Sequence, residues 1–318
     1  MSNLVSKQNS RIKLLGVINI TPNSFSDGGQ FFDLPRLQDK IKNDLSLGFR
    51  CLDFGAESTA PKNKNTVNSE TELLRLKNLF LPILNELKEL EVISLDTYRF
   101  DTFFFCYHAI RSLYPTKTIF WNDVSGVIDA DLEQFIQLIK ETNDKNIFYV
   151  ASFTHVPKRE LASHHMDFVK PYGPKEEIIN DYMTFVEKFS TFFLKHSLKD
   201  QLILDPAFGF SKSYDENFEL LNSFLHHPKF FKFNFLHANS VMIGISKKSF
   251  LRRYVVENDL VFQQNNAALS LDDPKVYEMA EELHFSYLKE LGRSFHEFSL
   301  SLKENQNLFL RTHSFFSL

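Results

Sequence analysis

Asp96, Asn122 and Asp205 each close a short apolar run in a different part of the chain. A carboxylate accepts two hydrogen bonds side by side, and a primary amide both donates and accepts. The set suits the edge of an aminopyrimidinone, which offers adjacent N–H donors and a carbonyl. A second set is cationic: Lys248 within Ser246–Lys247–Lys248–Ser249, and Arg311 and His313 on either side of Thr312. Arginine and histidine one residue apart can hold a diphosphate, the arginine in bidentate fashion. Asn19 offers a neutral oxygen to Mg²⁺, an ion that binds phosphates with few protein ligands.

These residues need a frame that gathers the ends of distant segments. Short apolar runs alternate with longer amphipathic stretches, the pattern of βα units on a parallel sheet. The runs predict strands at Leu14–Ile20, Arg50–Phe54, Val92–Leu95, Thr118–Trp121, Ile147–Ala151, Leu202–Leu204, Val241–Ile245 and Leu308–Arg311. Helices are predicted near Leu34–Leu47, Ser69–Leu90, Phe100–Leu113, Asp131–Lys140, Lys175–His196, Glu216–Phe224 and Tyr277–Lys303. Eight strands with seven helices fit an α/β (β/α)8 TIM barrel, with a doubly wound sheet as the alternative. Polar residues follow nearly every strand, and barrel enzymes work at those strand ends. Helix capping explains any one of these residues alone, but not the whole ring. Residues 13–318 are expected to form one domain behind a tail of residues 1–12. Glu257–Asp273 reads as an excursion before the last helix. Four residues follow Ser314, so the eighth outer helix is expected to be truncated or missing.

With 318 residues, 43% of them hydrophobic and 24% charged, the chain is in the ordinary globular range. A net charge of −4 gives no sign of a nucleic-acid tail or a membrane patch. Cys51 and Cys106 are too few for a disulfide framework and lack metal-site spacing. The polar first 13 residues do not read as a secretory signal. No apolar stretch is long enough for a membrane span. A cytoplasmic setting is expected. Phenylalanine is plentiful at 35 and glycine scarce at 10, so each glycine that is present carries information.

INITPNSFSDGG, LDFGAEST, ISLDT, WNDVSG, LDPAFGFSK, IGISKKSF and LRTH occur in an order and register that resembles the dihydropteroate synthase family, from Ile12 to His313. The resemblance implies a (β/α)8 barrel. The reaction it implies joins 6-hydroxymethyl-7,8-dihydropterin pyrophosphate to p-aminobenzoate, releasing pyrophosphate in folate biosynthesis, in an enzyme that sulfonamides target. It implies Asn19 as the Mg²⁺ ligand and Asp96, Asn122 and Asp205, joined by Thr59, as pterin contacts. Lys248 would lie against the pterin and border the aminobenzoate pocket with Phe210 and Ser249. Arg311 and His313, with Thr312 between them, would hold the anion, and Lys248, Arg311 and His313 would carry catalysis. The partners implied are the two substrates, with no nucleic acid and no membrane, and a homodimer is left open.

The chain departs from the family pattern in several places. Asn23 stands where an aspartate is usual, and Thr59–Ala60–Pro61–Lys62 replaces Thr-Arg-Pro-Gly. That reads as a compensated loss of an inter-loop ion pair, in part replaced by Lys62 or Lys64. Ala207 and Ser211 replace glycines, which questions the backbone after the sixth strand. A Met-His-Met segment becomes Ser152–Phe153–Thr154–His155, where His155 reads as a loop histidine, and Lys247 replaces an arginine. Two other readings are a methyltransferase-type pterin domain and a non-catalytic or altered-substrate pterin-binding paralogue. Asn19, Lys248, Arg311 and His313 favour the synthase.

Overall fold

The computed structural model describes residues 11–21, 33–57, 67–170, 175–258, 260, 270–299, 302–303 and 305–315. Thr59, Asn23, Ala60, Lys62 and Lys64 lie outside them. Eight parallel strands close in sequence order into a barrel: β1 (Ile12–Asn19), β2 (Cys51–Gly55), β3 (Val92–Asp96), β4 (Thr118–Asp123), β5 (Ile147–Ser152), β6 (Leu202–Asp205), β7 (Ser240–Ile243) and β8 (Leu308–Thr312). Every strand lies where the apolar runs predicted it, with ends shifted by one or two residues. Outside them are α1 (Leu34–Leu47), α2 (Ser69–Arg75), α3 (Leu81–Ile83), α4 (Phe100–Leu113), α5 (Ala130–Thr142), α6 (Lys175–Lys195), α7 (Tyr214–His226), α8 (Pro228–His237), α9 (Ser249–Glu257) and α10 (Pro274–Ser299). Among the described residues no helix follows β8. None of the described helices is long and apolar enough to cross a membrane.

Three helical expectations needed correction. The single helix predicted over Ser69–Leu90 is broken by a π segment (Leu76–Phe80) before α3 and a 3-10 segment (Leu84–Glu89) after it. Pro82 has no N–H to give the Asn78 carbonyl, so the regular ladder cannot pass this point. α8 was not foreseen, because its run of phenylalanines has no clear polar face. Nor was α9, because the residues after β7 read as an active-site loop.

Strand side chains alternate between the two faces of the sheet, so the barrel interior can be followed two residues at a time. At its lower level Leu15, Cys51, Val92, Phe120, Val150, Ile203, Met242 and Phe309 form a closed apolar plug. Two residues further on, the inward positions turn polar on six of the eight strands, at Asp53, Ser94, Asn122, Ser152, Asp205 and Arg311, with Val17 and Gly244 on the other two. The polar side chains are therefore confined to the C-terminal end, above an apolar floor.

The outer shell explains the wealth of phenylalanine. Trp121 packs on Phe100, Phe103, Phe135 and Tyr149, and Tyr149 in turn on Phe189 and Phe193. Such ring pairs add about 0.5–1.5 kcal/mol each beyond burial. The Trp121 indole N–H donates to the Thr97 carbonyl at 2.8 Å, which ties the end of β3 to β4 just behind Asp96 and Asn122. After β4 the chain doubles back at Gly126 (φ +62°), where an added Cβ would lie 2.0 Å from the Ser152 carbonyl oxygen. Only glycine allows the β4 and β5 ends to approach this closely.

Candidate active site

Asn19, Gly55, Asp96 and Asn122 lie side by side in register across β1 to β4. Gly55 leaves room there: a Cβ on it would come within 3.3 Å of the Asp96 Cβ. On the far side, Asp205 ends β6 and is buried, with Oδ1 accepting from the Ala207 N–H at 2.7 Å. The three predicted acceptors thus all stand at the C-terminal mouth of the barrel.

Asp53, which the sequence reading missed, lies one inward position below Gly55 on β2 and is fully buried. Its Oδ2 accepts from Arg311 Nε at 2.6 Å and from Asn122 Nδ2 at 3.1 Å. The second arm of Arg311 donates to Asp96 Oδ2, also at 2.6 Å. Arg311, expected to face an anion, therefore braces two carboxylates as well. Burial is the main reason that the Asp96 carboxyl is pushed up to about 7; Arg311 opposes the rise and Asp53 adds to it. Burial also raises Asp205, against the pull of the Ala207 N–H, Arg311, Lys248 and Lys212.

Lys248 precedes α9 as its N-cap residue, with its ammonium 4.1 Å from the centre of the Phe210 ring. Gly209 (φ +80°) makes that approach possible, since a Cβ there would be 3.0 Å from Lys248 Cδ. Burial lowers Lys248 to about 7, and Arg311 nearby adds to the effect. Ser249 is exposed at the first turn of α9.

His313 differs from the cation expected from sequence. Burial, then the charges of Lys247, Arg311 and Lys248, hold its pKa down to about 2, so the ring is neutral. The Ser246 hydroxyl accepts from the His313 backbone N–H at 3.3 Å and lies 3.0 Å from Nδ1. With Ser246 donating to Nδ1, the ring proton belongs on Nε2, where it can be offered to an anion. Thr312 also differs from expectation. It is fully buried, on the outward face of β8, and its hydroxyl donates to the Ser314 carbonyl at 2.8 Å, shaping the turn after the strand.

The two glycine replacements keep the geometry of glycine. Ala207 (φ 49°) and Ser211 (φ 51°) both lie in the left-handed region. Lys212, a second residue missed from sequence, spans the loop between them. It is buried, and its ammonium donates to the carbonyls of Phe153, Ala207 (3.2 Å) and Phe210 (3.0 Å). Burial lowers Lys212 to about 7. His155 is a loop histidine, as read from sequence, with Nδ1 3.1 Å from the Ser211 carbonyl and its pKa lowered by burial to about 4. Since left-handed geometry costs a side-chain-bearing residue about 1–2 kcal/mol, Ala207→Gly is expected to stabilise the fold by about 0.5–1 kcal/mol. The denaturant midpoint measures this, and an unchanged or lower midpoint would mean that the loop carries no strain at Ala207.

Behind the site a buried ion network joins the β3, β4 and β5 ends. Arg159 donates to Asp123, Asp129 and the Tyr98 carbonyl, and the Tyr149 hydroxyl donates to Asp123. Arg99 does the same for the β2 end, donating to Glu57, Glu72 and the Val67 carbonyl.

A closed parallel barrel with carboxylates, an amide and an arginine on inward positions near its C-terminal end, and Lys248 beside them, defines a TIM-barrel enzyme with a polar site. The chain matches the pterin binding enzyme family over residues 15–271, and it belongs to that family. It is 28% identical to a dihydropteroate synthase of Clostridium beijerinckii over 248 residues, 76% of each chain. It is 27% identical to one of Haemophilus influenzae over 240 residues, 75% of this chain and 76% of that one. In structure it resembles dihydropteroate synthase of Anaplasma phagocytophilum with bound 6-hydroxymethylpterin-monophosphate (TM-score 0.65, 20% identity, 96% and 94% of the two chains covered). It also resembles the Thermus thermophilus enzyme in complex with 4-aminobenzoate (TM-score 0.62, 22% identity, 96% and 90% covered).

Proposed function

We propose that this enzyme is a dihydropteroate synthase, a transferase that joins 6-hydroxymethyl-7,8-dihydropterin pyrophosphate to p-aminobenzoate and releases pyrophosphate. The observation that carries the reading is the division of the inward layer. Asp96, Asn122 and Asp205 supply acceptors and an amide for the pterin edge, while Lys248, Arg311 and the Nε2–H of His313 stand ready for the diphosphate. The relatives named above support it.

The chemistry follows from that division. As the methylene C–O bond breaks, negative charge gathers on the leaving diphosphate, where Arg311 and His313 can stabilise it. Positive charge spreads into the pterin, beside the carboxylates of Asp96 and Asp205. The aryl amine then forms the C–N bond and loses a proton to solvent or to the departing diphosphate. An arylamine beside a reactive cation needs positioning more than a strong base. Phe210, Lys248 and Ser249 are the residues proposed to position it.

Mg²⁺ is the proposed cofactor. Among the described residues no cluster of three His, Cys, Asp or Glu could cage a metal. The Asn19 amide at the end of β1 suits an ion that takes most of its ligands from phosphate and water. When bound, such an ion would neutralise part of the diphosphate charge. Both cysteines are buried and unpaired, which supports a reducing, cytoplasmic setting.

The test is direct. Purified protein incubated with both substrates should release pyrophosphate and form dihydropteroate in equal amounts; pterin binding without turnover would favour the non-catalytic paralogue. A pH dependence should accompany it. Asp96 must be ionised to accept two pterin N–H groups, and its carboxyl stands at about 7 before ligand arrives. Binding of the unphosphorylated pterin should therefore weaken as pH falls below about 7, by up to about tenfold per unit. Asp96→Asn should bind weakly at every pH and lose this slope. A parent affinity that stays flat between about pH 5 and 7 would take Asp96 out of pterin recognition.

A further inference from the structure

We propose that His165 is a positioning and specificity-determining residue for the aminobenzoate, acting through Phe210. The inference rests on the synthase reading above, and nothing in the sequence motifs points to His165. It lies in the 3-10 segment Arg159–Phe168 that follows β5, and it is 1% exposed.

His165 holds the residue next to Phe210 at two points. The Ser211 N–H donates to His165 Nδ1 at 3.3 Å, and the Ser211 hydroxyl donates to the His165 carbonyl at 2.7 Å. The first bond makes Nδ1 an acceptor and puts the ring proton on Nε2. Ser211 carries a side chain in left-handed backbone, a geometry that persists only where the surroundings over-determine it. Its neighbours do so: His165 takes its N–H and hydroxyl, His155 its carbonyl, and Lys212 the carbonyl of Phe210. The His165 ring also packs directly on Phe210, with centroids 4.3 Å apart. Phe210 in turn lies under the Lys248 ammonium. The β5 loop thus reaches the proposed aminobenzoate wall through one buried histidine. A glycine at position 211 would adopt the same backbone without that clamp, so the serine and the histidine form one device.

Three variants separate the parts of this device. His165→Phe keeps a ring against Phe210 and removes the acceptor. His165→Asn keeps an acceptor near Nδ1 and removes the ring. Ser211→Gly removes the need for the clamp. Steady-state kinetics with both substrates should show His165→Phe raising KM for p-aminobenzoate about five- to tenfold, with KM for the pterin pyrophosphate unchanged. Adding Ser211→Gly to it should restore most of the loss. His165→Asn should show the same selective rise and no rescue by Ser211→Gly, and it is the deciding variant if His165→Phe does not fold. Parallel changes in both KM values, or a lower thermal midpoint with neither KM moved, would overturn the proposal and leave His165 as a core residue. A parent protein that turns over neither substrate marks failure of the synthase reading. Normal parent turnover without the KM split marks failure of this one.

Discussion

Arg311→Ala is expected to abolish turnover and to cost the fold about 3–5 kcal/mol, the usual scale for leaving a buried charge uncompensated. Arg311 is the ion-pair partner of both Asp53 and Asp96. Loss of the guanidinium leaves those two carboxylates facing each other above an apolar plug. Binding of pyrophosphate or pterin pyrophosphate should weaken by about 2–4 kcal/mol, a typical loss for one member of a desolvated charge pair. Measured at a pH high enough to ionise Asp96 in the variant as well, the unphosphorylated pterin should be affected far less. Equal losses for the two ligands by calorimetry would make Arg311 structural only.

The stability loss should also depend on pH, and its sign is fixed. Asp96 holds its proton to about 7 when folded, against 3.8 as the ordinary value. The unfolded chain binds fewer protons over that interval, so Asp96 makes the fold less stable as pH rises from about 4 to about 7. Arg311 is the main influence opposing the rise at Asp96. Without it the loss deepens and continues above pH 7. The urea midpoints of parent and Arg311→Ala should therefore lie further apart at about pH 8.5 than at about pH 5.5. Asp53→Asn in the Arg311→Ala background should recover part of the difference. A constant gap across pH would mean that the carboxylates find other partners.

The eight strands were legible because each is a short apolar run bounded by turn residues, and their inward alternation carried the site with them. Asp96, Asn122, Asp205 and Arg311 could be named because polar side chains at strand ends stand out against apolar strands. Asp53 stood in equal view, as the middle inward residue of Cys51–Gly55, and a buried charge in mid-strand is itself a signal. It lacks the strand-end position that marks the other site residues in the sequence. Other features were not legible. Lys212 acts in part on the carbonyl of Phe153, and His165 on the N–H of Ser211, groups supplied by loops far away in sequence. The neutral state of His313 depends on its burial first and then on the cations folded around it, so one residue type in a motif could not reveal it. α8 was hidden by Phe230, Phe231, Phe233 and Phe235, which blur the contrast between its buried and exposed faces.

Lys248→Ala should fold and lose about a hundred- to a thousandfold in kcat/KM, the scale seen when one preorganised electrostatic contact is removed from a transition state. Lys248→Met, which keeps the apolar stem against Phe210 and Gly209, should lose nearly as much; recovery by methionine would assign the effect to packing. The pH profile gives an independent reading. Burial and the neighbouring Arg311 lower the Lys248 ammonium to about 7, so in the free enzyme it loses its proton as pH rises past neutrality. An arriving diphosphate favours the charged form, and binding above pH 7 must then take up a proton. Affinity for the pterin pyrophosphate should fall between about pH 7 and 9, approaching tenfold per unit. Together with the acid limb from Asp96, this gives a maximum near neutrality. In Lys248→Met the basic limb should vanish while the acid limb stays. Calorimetry in two buffers of different ionisation enthalpy would detect the proton directly. An unchanged basic limb in Lys248→Met would assign that proton to another group, and Lys212, also lowered to about 7 and buried beside Asp205, would be the next to replace.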